Sequence, residues 1–161
     1  MRPLHLLTTS LLLAVLAGLL ASASARSSDY PYVPVTAAER SQTRPLVTIV
    51  LAAHRSGDFS PVCAFLPERD IRDGAGTRAR CRTLARRNVR TPCGRCAFRI
   101  AKVVGLYSTE SARMARRKTV VWLVGVKGDP QFKGESELEL GFIRERGRWV
   151  LSKFLQAGDT R

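Results

Sequence analysis

The sequence predicts an α+β fold in which helices come first and an antiparallel sheet follows. Three observations predict it. Up to about residue 90 the apolar residues recur at helical spacing, whereas after Pro92 they alternate with period two. Gly, Pro and Asp fall between these runs, where turns are needed. A chain of 161 residues with 45% hydrophobic and 7% aromatic content is long and apolar enough for one folded domain. Large multidomain enzymes and long repeat arrays are excluded. Helices segregated from strands then imply helices packed on one face of a sheet.

Residues 1–25 read as a secretory signal peptide. Arg2 supplies the positive start, residues 11–20 the apolar stretch, and Ala23-Ser24-Ala25 a small-residue cleavage site. The alternative is an uncleaved membrane anchor, for which the apolar run is short. Residues 26–35, with Pro31 and Pro34, form an irregular lead-in. The domain proper spans 36–156, and 157–161 is a tail. Thr36 and Glu39 have capping-box spacing and open a helix, which Pro45 either interrupts or restarts. Leu46, Ile49, Val50 and Ala53 form its apolar stripe. Gly57 ends it and Asp58 caps the next turn. Residues 61–66 make a short helix stopped by Pro67, and 73–76 a loop. Residues 77–88 make a third helix, with Cys81 and Leu84 inward.

Residues 98–106 alternate like a strand, with Lys102 an offence on the apolar face. Residues 108–117 form a polar, basic loop. Residues 119–126 are continuously apolar and β-branched, as in a strand covered on both faces. Gly128-Asp129-Pro130 turns the chain. Residues 135–144 alternate, with Glu137 and Glu139 facing water. Glu145-Arg146-Gly147-Arg148 turns into the last strand, 149–155. The sheet thus has four strands.

Secretion makes disulfides the default for Cys63, Cys81, Cys93 and Cys96. Three connectivities exist, of which Cys63–Cys81 with Cys93–Cys96 is favoured. A thioredoxin-like reading of Cys93-Gly94-Arg95-Cys96 wants a helix N-terminus to activate the thiol, and a strand follows instead. Zinc is disfavoured because Cys63 and Cys81 form no second close pair. His54 is the lone histidine after residue 25, too few for a multi-histidine centre. It suits a helix C-terminus as a positive ring, and proton transfer is its other use. No metal and no cofactor are expected.

Charge is concentrated. The chain carries +14, and residues 69–118 hold 15 basic and 3 acidic side chains. Arg78, Arg82, Arg86 and Arg90 recur every four residues, and Arg113, Arg116, Arg117 and Lys118 cluster in the loop. Together they offer an anion-binding face for envelope phosphates, acidic lipids, glycans or nucleic acid. A solvated face in an arginine-rich chain is the plainer explanation. Base-stacking aromatics are missing from 78–95, which disfavours sequence-specific nucleic-acid readout.

The element order α-α-α-β-β-β-β resembles the nuclear-transport-factor-2-like superfamily, in particular its small secreted bacterial members. So do Ala52-Ala53-His54-Arg55-Ser56-Gly57-Asp58-Phe59 and the closing Leu138-Glu139-Leu140 to Arg146-Gly147-Arg148-Trp149-Val150-Leu151 hairpin. Cys63 and Cys81 match positions on the family's second and third helices. The resemblance implies a cone-shaped roll with a hydrophobic cavity, to which Phe98, Trp122, Val124, Leu140 and Trp149 are candidate lining residues. It does not imply one function, since the fold serves isomerases, dehydratases and non-enzymatic modules. The expected function is a non-enzymatic binding or accessory module of the cell envelope, monomer or homodimer, with a small apolar ligand or an anionic envelope component as partner. An isomerase- or dehydratase-like enzyme is the alternative, with Asp58, Glu137 or Glu139 as base and Tyr32 or Tyr107 as donor. A thiol oxidoreductase using Cys93 and Cys96 is the third.

Overall fold

The structure is a computed structural model and describes residues 32–107 and 117–158. The predicted signal peptide therefore lies outside the described residues. Among the described residues, nine elements follow one another: β1 (Tyr32–Val33), α1 (Ala37–Ser56), a 3-10 helix (Ser60–Phe65), α2 (Glu68–Gly74), α3 (Arg78–Arg87), β2 (Ala97–Tyr107), β3 (Lys118–Lys127), β4 (Glu135–Glu145) and β5 (Arg148–Ala157). The strands form one antiparallel sheet in sequence order. It has five strands where four were expected. Tyr32 and Val33, in the supposed irregular lead-in, pair with Leu106 and Gly105. Extended backbone is what residues near Pro31 and Pro34 favour, so the lead-in is well suited to add a short strand.

Helix α1 begins where the capping box places it. Glu39 N–H donates to the Thr36 hydroxyl at 3.1 Å, and Thr36 N–H donates to Glu39 Oε2 at 2.8 Å. Pro45 neither interrupts nor restarts the helix, which runs continuously past it. Proline removes one N–H and crowds the preceding turn. Pro45 and Ser41, whose carbonyl it cannot serve, are both on the exposed side, where water can take that acceptor. Gly57 closes the helix with φ 80°, and a Cβ there would collide with the Arg90 carbonyl. Only glycine suits both constraints.

Pro67 stops the 3-10 helix as expected but also caps a helix that was not expected, α2, which takes in Asp73 and Gly74 of the supposed loop. Glu68 and Asp70 sit in its first turn, where the helix dipole favours acids. Ile71 is its one buried residue, so the segment carries no apolar period to read.

The core lies between α1 and one face of the sheet. Val47, Val50 and Ala53 of α1 meet Val120, Trp122, Val124, Leu138, Leu140 and Phe142. Cross-strand partners Trp122–Leu140, Val124–Leu138 and Val120–Phe142 bring that face into register. Inside it, Trp122 Nε1–H donates to the fully buried Thr43 hydroxyl at 3.0 Å. The β4–β5 turn has positive φ at both Arg146 (50°) and Gly147 (79°), as a tight two-residue hairpin requires.

A bulge between Ile100 and Lys102 resolves the lysine offence. One extra residue reverses which face the rest of the strand presents. Lys102 therefore stands opposite Leu123, on the same side as Tyr32, over whose ring its ammonium lies at 5.0 Å. Because β1 covers only Gly105 and Leu106, the remainder of β2 has no strand partner on that side among the described residues.

Candidate functional site

An apolar cleft of about 470 Å³ opens between the small helices and β5. The Cys63–Cys81 disulfide anchors one wall by joining the 3-10 helix to α3. Arg78 reinforces that joint. Its guanidinium donates to the carbonyls of Cys63 (2.7 Å), Ala64 (3.1 Å) and Leu66 (3.1 Å), and to Glu68 Oε1 (2.6 Å). These carbonyls close the 3-10 helix, and Arg78 satisfies acceptors the helix leaves unused. Helix α3 has no buried residue. It turns Cys81, Leu84 and Ala85 toward the cleft but does not fill it. Phe59, Leu66, Ile71 and Phe154 line the other walls. Among the described residues, two charged side chains border it, Asp70 and Arg90, and both are exposed. The Arg90 guanidinium lies 5.2 Å over the Phe59 ring.

The eight basic candidates separate into groups. Arg82, Arg86 and Arg90 are exposed; Arg90 lies beyond the end of α3 rather than on its face. Arg117 is exposed and lines a smaller recess with Glu39, Arg144 and Trp149. Arg78 is occupied as described. Lys118 Nζ donates to the Pro34 carbonyl at 2.7 Å and to Glu39 Oε2 at 2.6 Å. Neither of these two adds free charge to an anion-binding face. Arg113 and Arg116 lie outside the described residues. Asp58 caps the 3-10 helix by accepting from Ser60 N–H at 2.8 Å, and this bond holds its carboxyl below the usual range.

The cavity candidates are placed elsewhere. Trp122, Val124 and Leu140 belong to the solid core because α1 lies directly on that face of the sheet. Phe98 and Trp149 pack against the core's edge, and none of the five lines the apolar cleft. Glu137 is exposed; Glu139 pairs with Lys153 at 2.8 Å. Tyr32 is 70% exposed, and neither it nor Tyr107 reaches the cleft.

A second constellation is buried beside the end of α1. His54 Nε2 lies 3.2 Å from Asp129 Oδ2. Asp129 is 2% exposed and sits in the β3–β4 turn. Its Oδ1 accepts from Gln131 N–H at 2.9 Å, and its Oδ2 accepts from Gln156 Nε2 at 2.7 Å. Burial pushes the carboxyl up, but these hydrogen bonds and His54 together hold it below the ordinary aspartate value. The Cys93–Cys96 disulfide adjoins this pair. Cys93 N–H donates to the His54 carbonyl at 3.4 Å, and Cys96 N–H closes the turn on the Cys93 carbonyl at 2.8 Å. The His54 ring stands edge-on to Phe98, with centroids 5.8 Å apart. Sequence reasoning missed Asp129. Gly128-Asp129-Pro130 reads as a turn, and nothing local indicates that the carboxylate points inward.

The chain matches no protein-family model, no curated protein and no solved structure.

Proposed function

We propose that the protein is an extracytoplasmic, non-enzymatic binding module. Its ligand has an apolar body, held in the cleft between α3, the 3-10 helix and β5, and an anionic head, held by Arg90. The cleft carries this reading. Its volume falls within the range of small-molecule sites, its walls are apolar, and its polar groups are few. Exposed Arg82 and Arg86 extend positive charge along α3 and favour approach to anionic envelope surfaces. The signal-peptide pattern of residues 1–25 supports the location. Helices followed by an antiparallel meander support a cone-shaped roll of the nuclear-transport-factor-2-like kind.

An isomerase or dehydratase needs an enclosed base. Asp70 is the one carboxylate among the described residues lining the cleft, and it is exposed. The binding reading therefore stands ahead of the enzymatic one.

Titration with a fluorescent medium-chain fatty acid tests it. Saturable one-to-one binding is expected. In Arg90→Gln the affinity for the acid should fall about tenfold, the scale of one lost charge-assisted hydrogen bond. Affinity for the matching alcohol should stay unchanged. Absence of saturable binding by the wild-type protein overturns the reading. Equal losses for acid and alcohol remove Arg90 from it.

A further inference from the structure

We propose that His54, Cys93, Cys96 and Asp129 form a zinc site once the Cys93–Cys96 bridge is reduced. Their four donor atoms, two Sγ, one imidazole nitrogen and one carboxylate oxygen, lie within 4.8 Å of one another. Zinc bonds of about 2.0–2.3 Å place tetrahedral ligand atoms roughly 3.3–3.8 Å apart. The 3.2 Å between His54 Nε2 and Asp129 Oδ2 already has that scale. Once the S–S bond is broken, rotation of the Cys93 and Cys96 side chains would carry the two sulfurs apart to this separation.

The donor set selects the metal class. Two thiolates and an imidazole suit zinc and disfavour magnesium and calcium, which want oxygen. The site is also supported from outside. Gln131 N–H and Gln156 Nε2 orient the Asp129 carboxylate, and Gln156 is itself held by the Ser136 hydroxyl at 3.1 Å. Such partners fix ligand orientation in metal sites. The ligands come from three places, the end of α1, the turn before β2 and the β3–β4 turn. Metal binding would therefore tie helix to sheet. Cys93, Cys96 and Asp129 are buried and the His54 side chain is 12% exposed, so the site is enclosed yet near the surface.

The disulfide and the metal are mutually exclusive. A phosphine reductant supplies two electrons to the Cys93–Cys96 bond and becomes the phosphine oxide with oxygen from water. The bond breaks to give two thiols. Zinc then binds as both thiols release their protons to solvent. Zinc and the oxidised form of this pair thus exclude one another by chemistry.

The test uses the full chain, reduced with a phosphine and titrated with cobalt(II). Expected are one cobalt per chain, a thiolate-to-cobalt charge-transfer band, the strong visible absorption of tetrahedral cobalt, and displacement by zinc. The bands should persist in Cys63→Ser/Cys81→Ser and vanish in Cys93→Ser/Cys96→Ser. Asp129→Asn should weaken binding at least about tenfold. X-ray absorption at the zinc edge of the wild-type protein needs no variant, and should report two sulfur and two nitrogen or oxygen neighbours. Four sulfurs, no sulfur, or a charge-transfer band that survives loss of Cys93 and Cys96 overturns the proposal.

Discussion

Thr43 sits fully buried, where a hydroxyl is costly unless paired. It donates to the Glu39 carbonyl at 2.8 Å and accepts the Trp122 indole at 3.0 Å. Thr43→Val keeps the shape and orphans that indole N–H, so stability should fall by about 1–3 kcal/mol in urea unfolding. A loss below about 0.5 kcal/mol would mean that the indole finds another partner. Glu39 gives a pH prediction. Burial pushes its carboxyl up, but hydrogen bonds from Lys118 and Thr36 outweigh that and hold it below the usual glutamate value. A carboxyl depressed in the folded state stabilises above its unfolded pKa of about 4.3, and the benefit fades as pH falls through the folded value. The urea midpoints of wild type and Glu39→Gln should therefore differ at pH 7 and converge below about pH 4. Midpoints that stay equally separated at low pH would disprove this. The Thr36–Glu39 box was readable from four adjacent letters because its bonds are local. Asp129 was not, since its partners His54 and Gln156 stand 75 and 27 residues away.

At the scale of elements, α3 is the informative case. With no buried residue it has little hydrophobic reason to stay where it is. The Cys63–Cys81 bridge and the Arg78 fan to three carbonyls hold it. Cys63→Ser/Cys81→Ser should lower stability by about 2–4 kcal/mol. It should also weaken fatty-acid binding, because α3 forms a cleft wall. Unchanged binding in the folded double variant would show that the helix keeps its place without the bridge. Strand β3 was legible from its continuous β-branched run, and β4 and β5 from alternation and turn residues. So were α1, from its stripe and caps, and α3, from Cys81 and Leu84 on one side of a helical run. Helix α2 escaped because a single apolar anchor, Ile71, makes no period. The β2 bulge escaped because alternation continues across it in the letters while the faces exchange in space.

For the whole molecule, the sheet is a meander of sequential neighbours with α1 and the 3-10 helix packed on its inner face. That plan follows from the order of periods along the chain. The cleft does not, because its walls come from residues 59–90 and from Leu151 and Phe154 on the last strand. No single stretch carries the pattern of a pocket. Among the described residues, the plan also leaves much of β2 without a neighbour on its outer side. An open row of backbone donors and acceptors is a template on which another chain can add a strand. Here Arg99 and Lys102 flank the bulge on that row, and a kinked, charged border repels a like border. Arg99→Val/Lys102→Val should remove the repulsion. The expected outcome is concentration-dependent higher mass in sedimentation and eventually fibrous aggregate, and equal sedimentation of both proteins would refute it. The residue that looked misplaced in an apolar strand is, on this account, the guard that keeps one copy from growing onto the next.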